Sequence, residues 1–228
     1  MSPHVLDRPA YSALTGRQSH LAIRHGGAVR MRPEFGLFAG VDDASPESLA
    51  ALAELVRAHG TVGLIEPAAP PPAPGTQVVS SALCLQMEAT AVAPAWDVAF
   101  DMLDLGDPDA AEMLALATLT KPGPFFARTH ELGAFIGVRV DGQLVAMAGE
   151  RTRPDGYTEA SGVCVHPDHR GKGYAARLLR EVTARILARG EKAFLHSYAH
   201  NATAIGLYES LGYRGRREVV FTVVKPAV

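Results

Sequence analysis

The chain has 228 residues, 47% hydrophobic and 20% charged, with 22 Lys and Arg against 24 Asp and Glu. That length can bury a sizeable core as one large or two small domains, in a composition ordinary for a soluble globular protein. The near-balance of charge speaks against a nucleic-acid or anionic-membrane partner, no apolar run reaches transmembrane length, and the first nine residues lack a signal-peptide core.

Residues 1 to about 45 scatter Pro, Gly, Arg and His with weak periodicity, and only the stretch around Asp7–Tyr11 reads as the lead into a short helix. Ser45 then fits an N-cap and Pro46 a first helical position, ahead of the apolar stripe Leu49, Leu52, Leu55 and Val56. Gly60 stops that helix, and Val62–Ile65 reads as a strand. Prolines 67, 70, 71, 72 and 74 make residues 66–75 an extended surface loop before a second strand over Val78–Met87. Val98, Phe100 and Met102 alternate as a strand reaching Leu105. Asp107 and Pro108 then suit a helix start, with Met113, Leu114 and Leu116 as its apolar contacts. Two apolar runs, 134–140 and 144–151, flank Asp141-Gly142, a strong hairpin signal. Cys84 and Cys164 sit in apolar, strand-like segments and read as buried thiols of a reducing cytoplasm rather than as a disulfide.

The most informative stretch is 161–177. Val163, Cys164 and Val165 suit a buried strand, and Pro167 ends its pairing. From Gly173 the positions Tyr174, Leu178, Val182 and Ile186 recur every four residues, as on the inward face of a helix closed by Gly190. Gly171 and Gly173 stand where the turn becomes the helix. There the backbone can bend sharply, and the free N–H groups of the first turn favour an anion. The stretch is therefore a candidate pyrophosphate cradle.

Gly171-x-Gly173-x-x-Ala176 formally satisfies a dinucleotide fingerprint, and Glu191 lies at the distance of a ribose-binding acid. The context argues against it. Four residues separate the strand from the first glycine, Glu191 precedes the next strand instead of ending it, and about forty residues remain, too few for a doubly wound domain. A strand over Ala193–Tyr198, a helix over 201–211 and a last strand over Val219–Val224 close the chain.

Read as Arg170-x-x-Gly173-x-Ala175, the stretch resembles the acetyl-CoA signature of the GNAT superfamily, the acetyl-CoA-dependent N-acetyltransferases. A second block, Asn201 through Tyr208 to Gly212-Tyr213, is similar to that family's closing helix at the expected separation. The resemblance covers residues 96–228. It implies an α/β fold with a mixed, mostly antiparallel sheet flanked by helices. Residues 1–95 are then an extra N-terminal α/β segment without a cradle, read by analogy alone as a degenerate GNAT-like half packed on the catalytic one.

The resemblance further implies an N-acetyltransferase that moves an acetyl group from acetyl-CoA to a primary amine by direct attack in a ternary complex. The backbone from Arg170 through Gly171, Lys172, Gly173 and Tyr174 to Ala175 would grip the pyrophosphate, with Arg170 and Lys172 adding charge. Backbone groups of Val163, Cys164 and Val165 would hold the pantetheine arm and polarise the thioester carbonyl. Tyr208 matches the family's general acid, although its place on an apolar stripe also suits a packed core tyrosine. Asn201 matches a cofactor contact and is equally a favoured N-cap. Glu159 matches a strand glutamate that serves as general base through water. On a regular strand it lies about 13 Å from Val163, so a relay or a bulge is needed. Glu150 and bulk water are the alternatives, and a solvated strand face is the bland reading of either glutamate.

His166 and His169 flank the turn, and His196 and His200 lie four apart, too far on a strand to chelate one ion, so no metal is expected. The acceptor is a small-molecule or peptide amine whose identity the residues leave open, and a homodimer is compatible with the chain. A catalytically idle acyl-CoA-binding or regulatory module is the competing reading.

Overall fold

The computed structural model describes residues 4–94 and 100–227. In chain order the elements are α1 (Pro9–Thr15), β1 (Ala22–His25), β2 (Ala28–Met31), β3 (Phe38–Val41), α2 (Pro46–His59), β4 (Val62–Glu66) and β5 (Thr76–Ala89). There follow β6 (Leu103–Leu105), α3 (Ala110–Thr120), β7 (Phe135–Val140), β8 (Gln143–Glu150) and β9 (Tyr157–Val165). The chain closes with α4 (Tyr174–Ala188), β10 (Lys192–Tyr198), α5 (Ala202–Ser210) and β11 (Arg214–Pro226). Among the described residues no helix is long and apolar enough to cross a membrane.

Several elements follow from local chemistry. Ser45 accepts the Ser48 N–H with its side chain, Pro46 opens α2, and Leu49, Leu52, Leu55 and Val56 are buried. Asp141 and Gly142 both take positive φ, as the two-residue turn between β7 and β8 requires. At α3 the expectation shifts. Asp107–Asp109 forms a single 3-10 turn, and it is Asp109 that accepts the Gly106 N–H, while Asp107 pairs with His130. Val98, where the preceding strand was expected to open, lies outside the described residues, and β6 is only three residues long.

The strands form one 11-stranded sheet in the order β1-β2-β3-β4-β11-β5-β10-β9-β8-β7-β6. Its arrangement is internally repeated. An antiparallel meander β1-β2-β3 leads through α2 into the parallel strand β4, and the meander β7-β8-β9 leads through α4 into the parallel strand β10. The last strand of each unit then crosses over. β5 pairs with β10, β11 pairs with β4, and β5 and β11 pair antiparallel with each other along the middle of the sheet. Residues 1–95 are therefore not a body packed against 96–228. The two segments interleave, and the boundary expected at residue 95 does not divide the fold.

The helices follow the same repeat. Leu52 and Val56 of α2 pack over Val62 and Leu64, and Leu178, Val182 and Ile186 of α4 pack over Met87, Ala148 and Leu195 on the same face of the sheet. On the other face Ala10 and Leu14 of α1 cover Phe38, Ile65 and Val219, while Met113 and Leu116 of α3 cover Met147 and Phe135.

Candidate active site

β9 and β10 begin side by side, with Tyr157, Thr158 and Glu159 registered against Lys192, Ala193 and Phe194, and their pairing ends there. Both strands run on, β9 to Val165 and β10 to Tyr198, so a gap opens between them. A bulge in β9 lies beside this gap. Cys164 opposes Met147 and Ser161 opposes Gly149, which leaves Gly162 and Val163 facing the single residue Ala148. Gly162 has φ +64°, and a Cβ there would stand 2.9 Å from the Phe135 ring, so backbone and packing together call for glycine. The gap holds a cavity of about 150 Å³ that reaches both faces of the sheet. Tyr208, Asn201 and Val163 line it towards α4 and α5. Arg151, Phe38, Ile65 and Phe221 line it towards α1.

At the end of β9 a 3-10 turn, Pro167–His169, leads into Arg170, Gly171, Lys172 and Gly173, all exposed. Gly171 and Gly173 have φ +75° and +80°, and no atom would meet a Cβ on either within 4 Å. Gly173 stands at the N-cap of α4 without a side-chain cap, so the first-turn N–H groups are open. Tyr174 and Ala175 are half-buried, and the Tyr174 ring packs edge-on against Phe100 at 4.9 Å. An uncapped helix start with open space before it, flanked by two cations, fits a pyrophosphate.

Tyr208 is half-buried with its ring edge-on to Tyr213, 6.3 Å between centroids, and burial raises its phenol pKa. Tyr208 lines the cavity, and its hydroxyl makes no hydrogen bond among the described residues. Tyr213 is the core tyrosine: it is 1% exposed and its hydroxyl lies 2.7 Å from Thr183 Oγ1. Asn201 accepts the Ala204 N–H through Oδ1 at 3.1 Å and also lines the cavity, so capping is certain for it and a cofactor contact is open to it. Val163 and Val165 are half-buried. The Cys164 side chain turns away beneath α3, and burial pushes its thiol up to about 11.

The solvated reading of the two glutamates does not hold, since Glu159 is 1% and Glu150 2% exposed. Glu150 accepts from Arg189 Nη2 at 2.8 Å and does not line the cavity, so the structure does not bring it to the site. Glu159 does line it. Arg151 holds its carboxylate with two parallel bonds, Nη2 to Oε1 at 2.8 Å and Nε to Oε2 at 3.0 Å, and His196 Nδ1 lies 2.8 Å from Oε1. Burial alone would raise its pKa, but the Arg151 charge and the His196 hydrogen bond outweigh burial and hold the carboxyl well below the usual range.

The proton on His196 can be placed. Arg216, a donor only, gives a hydrogen bond to Gln86 Oε1 at 2.8 Å, so the Gln86 amide nitrogen faces Leu6 O and His196 Nε2 at 2.9 and 3.0 Å. Nε2 must accept, and Nδ1–H therefore donates to Glu159. Arg151, His196 and Phe38 are site residues that the sequence reading missed. His196 was weighed only as a metal ligand, and nothing local marks Phe38 or Arg151.

A family model described as FR47-like protein matches residues 135–222. The N-alpha-acetyltransferase RimI of Mycobacterium tuberculosis is 36% identical over 101 residues, 41% of this chain and 62% of that protein, so the match spans under two thirds of that relative. A GCN5-related N-acetyltransferase from Kribbella flavida, at 19% identity, shares the fold over 95% of this chain and 96% of its own, with a TM-score of 0.64. A crystal structure from Novosphingobium aromaticivorans, assigned to the GNAT family, is 46% identical over 99% of this chain and 100% of its own, with a TM-score of 0.91. With the parted strands, the bulge and the open helix start already in place, that full-length likeness settles the membership: the chain belongs to the GNAT family of acetyltransferases.

Proposed function

We propose that the protein transfers an acetyl group from acetyl-CoA to a primary amine by direct attack in a ternary complex. One observation carries the reading: the bulge residues Gly162 and Val163, together with Tyr208, line the gap between β9 and β10, and β9 runs on from that gap to the open start of α4. The thioester would enter from the α4 face, with its pyrophosphate on the backbone from Arg170 to Ala175. The amine would come from the α1 face. Acetyl-CoA supplies the activated acyl group and the chain supplies position and charge.

The bulge leaves a β9 backbone group unpaired beside the gap, where a fixed dipole typically contributes a few kcal/mol to the transition state. The Tyr208 hydroxyl, without a hydrogen-bond partner among the described residues and kept protonated by burial, donates to the departing thiolate. Glu159 is held too firmly as an anion to be a strong base itself. It fixes Arg151 and His196, and the amine proton leaves through water on that side of the gap.

Residues 1–95 we read as a degenerate GNAT-like half, supported by the repeated topology. Its turn corresponding to the cradle, Asp42–Ser45, is acidic. It is also already filled: Ser45 Oγ accepts the Ser48 N–H, and Asp43 accepts from Ser45 N and Ser48 Oγ. Two free, buried thiols, Cys84 and Cys164, support a reducing compartment.

The test is amine-dependent release of thiol from acetyl-CoA by the wild-type chain and by Tyr208→Phe. Wild-type turnover should need an amine. The variant should lose about 10- to 10³-fold in turnover, with acetyl-CoA affinity near normal, as expected for loss of an acid. Its melting temperature should hold, because the hydroxyl has no partner to lose. Tight acetyl-CoA binding with no amine-dependent release would mark an idle binding module.

A further inference from the structure

The acceptor side of the cavity is built by both halves of the chain, and its chemistry is restrictive. Phe38 of β3, Ile65 of β4 and Phe221 of β11 form an apolar wall, with the two phenyl rings 6.2 Å apart. Among the described residues that line the cavity, Glu159 is the one carboxylate and Arg151 the one fixed cation. They neutralise each other, so no negative charge is left over to attract a polycation. The Arg151 guanidinium lies over the Phe38 ring at 4.6 Å, and its Nε and Nη2 edge is spent on Glu159. Nη1 has no partner among the described residues. It borders the Pro122–Pro124 loop, where a Cβ on Gly123 would stand 3.7 Å from it. The side chain is 11% exposed, and Arg151 lines the cavity. A planar donor clamped on one edge and stacked on one face presents its remaining N–H groups in a fixed direction.

We propose that the acceptor is a monoamine with an apolar body and a carbonyl or carboxylate oxygen close to the amine, and that Arg151 receives that oxygen through Nη1. Arg151 lines the same cavity as Gly162 and Val163 of the bulge, so the amine and the oxygen of the acceptor would lie close together. An apolar amino acid and the amino end of a peptide both carry this chemistry. The inference rests on the acetyl-transfer reading of the same site. Arg151 is a specificity residue within it, supported by Glu159 beneath and Phe38 beside.

The experiment uses matched amines that differ only in the oxygen-bearing group: L-leucinamide against 3-methylbutylamine, and L-alaninamide against ethylamine, with free L-leucine and spermidine alongside. A hydrogen bond from a charged donor is worth about 10- to 100-fold, so kcat/KM should fall by that factor when the group is deleted. Spermidine should do no better than the plain alkylamines. Preference between leucine and leucinamide then separates a free amino acid from a chain terminus.

Arg151→Lys keeps the charge over Glu159 and loses the fork. It should raise KM for the oxygen-bearing amines about 10-fold more than for the alkylamines, with kcat for the former changed by no more than about threefold. Alkylamines or spermidine matching the amides in the wild-type chain would overturn the proposal, whether or not the variant folds. Equal losses on every amine in a folded Arg151→Lys chain would also overturn it.

Calorimetry of the same amines with CoA present separates the two readings. If the amides bind in the stated order but release no thiol, the acceptor assignment stands and the transfer reading falls. If thiol is released with spermidine preferred, transfer stands and the acceptor assignment falls.

Discussion

Tyr208 and Glu159 show what a residue's neighbours in sequence can and cannot say about it. The stripe on α5 marks Tyr208 as packed, and its ring is; the family resemblance marks it as an acid, and its hydroxyl is free to be one. The packing is observed and the acid role is proposed; one residue can carry both because the two ends of a tyrosine can meet different surroundings. For Glu159 the local pattern misleads. Thr158, Glu159 and Ser161 look like a wet strand, yet Glu159 is held by Arg151 and by His196, thirty-seven residues on, which Gln86 holds in turn. Its ion pair carries a pH signature. The folded carboxyl titrates below its ordinary value of 4.5, so the stability it gives is complete above that value and is lost as pH falls below it. Glu159→Gln strands the buried guanidinium and should cost about 3–5 kcal/mol near neutral pH. In urea unfolding the gap between wild type and variant should narrow by about 1 kcal/mol between about pH 7 and about pH 3.5. A gap that stays constant or widens on acidification would show that Glu159 is not held as an anion.

Elements with a local signature were legible. α2, the β7–β8 hairpin, α4 and α5 announce themselves through caps, the Asp-Gly turn and apolar stripes, and they stand within a residue or two of their expected ends. β1, β2 and β3 do not. They are four residues each, and β2 and β3 are buried along their whole length, so no alternation exists to be read. The bulge in β9 was also hidden, because Gly162 looks like any strand glycine until Phe135 is placed over it. The open start of α4 is the opposite case, legible because glycine spacing encodes the backbone conformation that Gly171 and Gly173 adopt. Gly173→Glu puts a side chain and a negative charge at the open N-terminus of α4, in a left-handed backbone. Strain of about 1–3 kcal/mol should lower the melting temperature modestly. Acetyl-CoA affinity should fall below detection by calorimetry. Unchanged affinity in that variant would place the cofactor elsewhere.

At the scale of the whole molecule, two similar meander-and-crossover units exchange their last strands, and β6 and α5 belong to one unit only. The repeat left no trace in the residues. What the units share is burial and topology, and the exchange of β5 and β11 depends on pairing between residues over a hundred positions apart. The exchange also explains why one cavity draws on both halves. β11, β3 and β4 bring Phe221, Phe38 and Ile65 to a gap whose other wall is the cradle unit. The proposed division follows: the cradle unit would hold the cofactor, and both halves would shape the acceptor side. Calorimetric titration of the full chain with acetyl-CoA tests that division most directly. It should find one acetyl-CoA per chain, since the turn at Asp42–Ser45 is acidic and its Ser45 and Ser48 N–H groups are already taken by Asp43 and Ser45; a stoichiometry of two would contradict it.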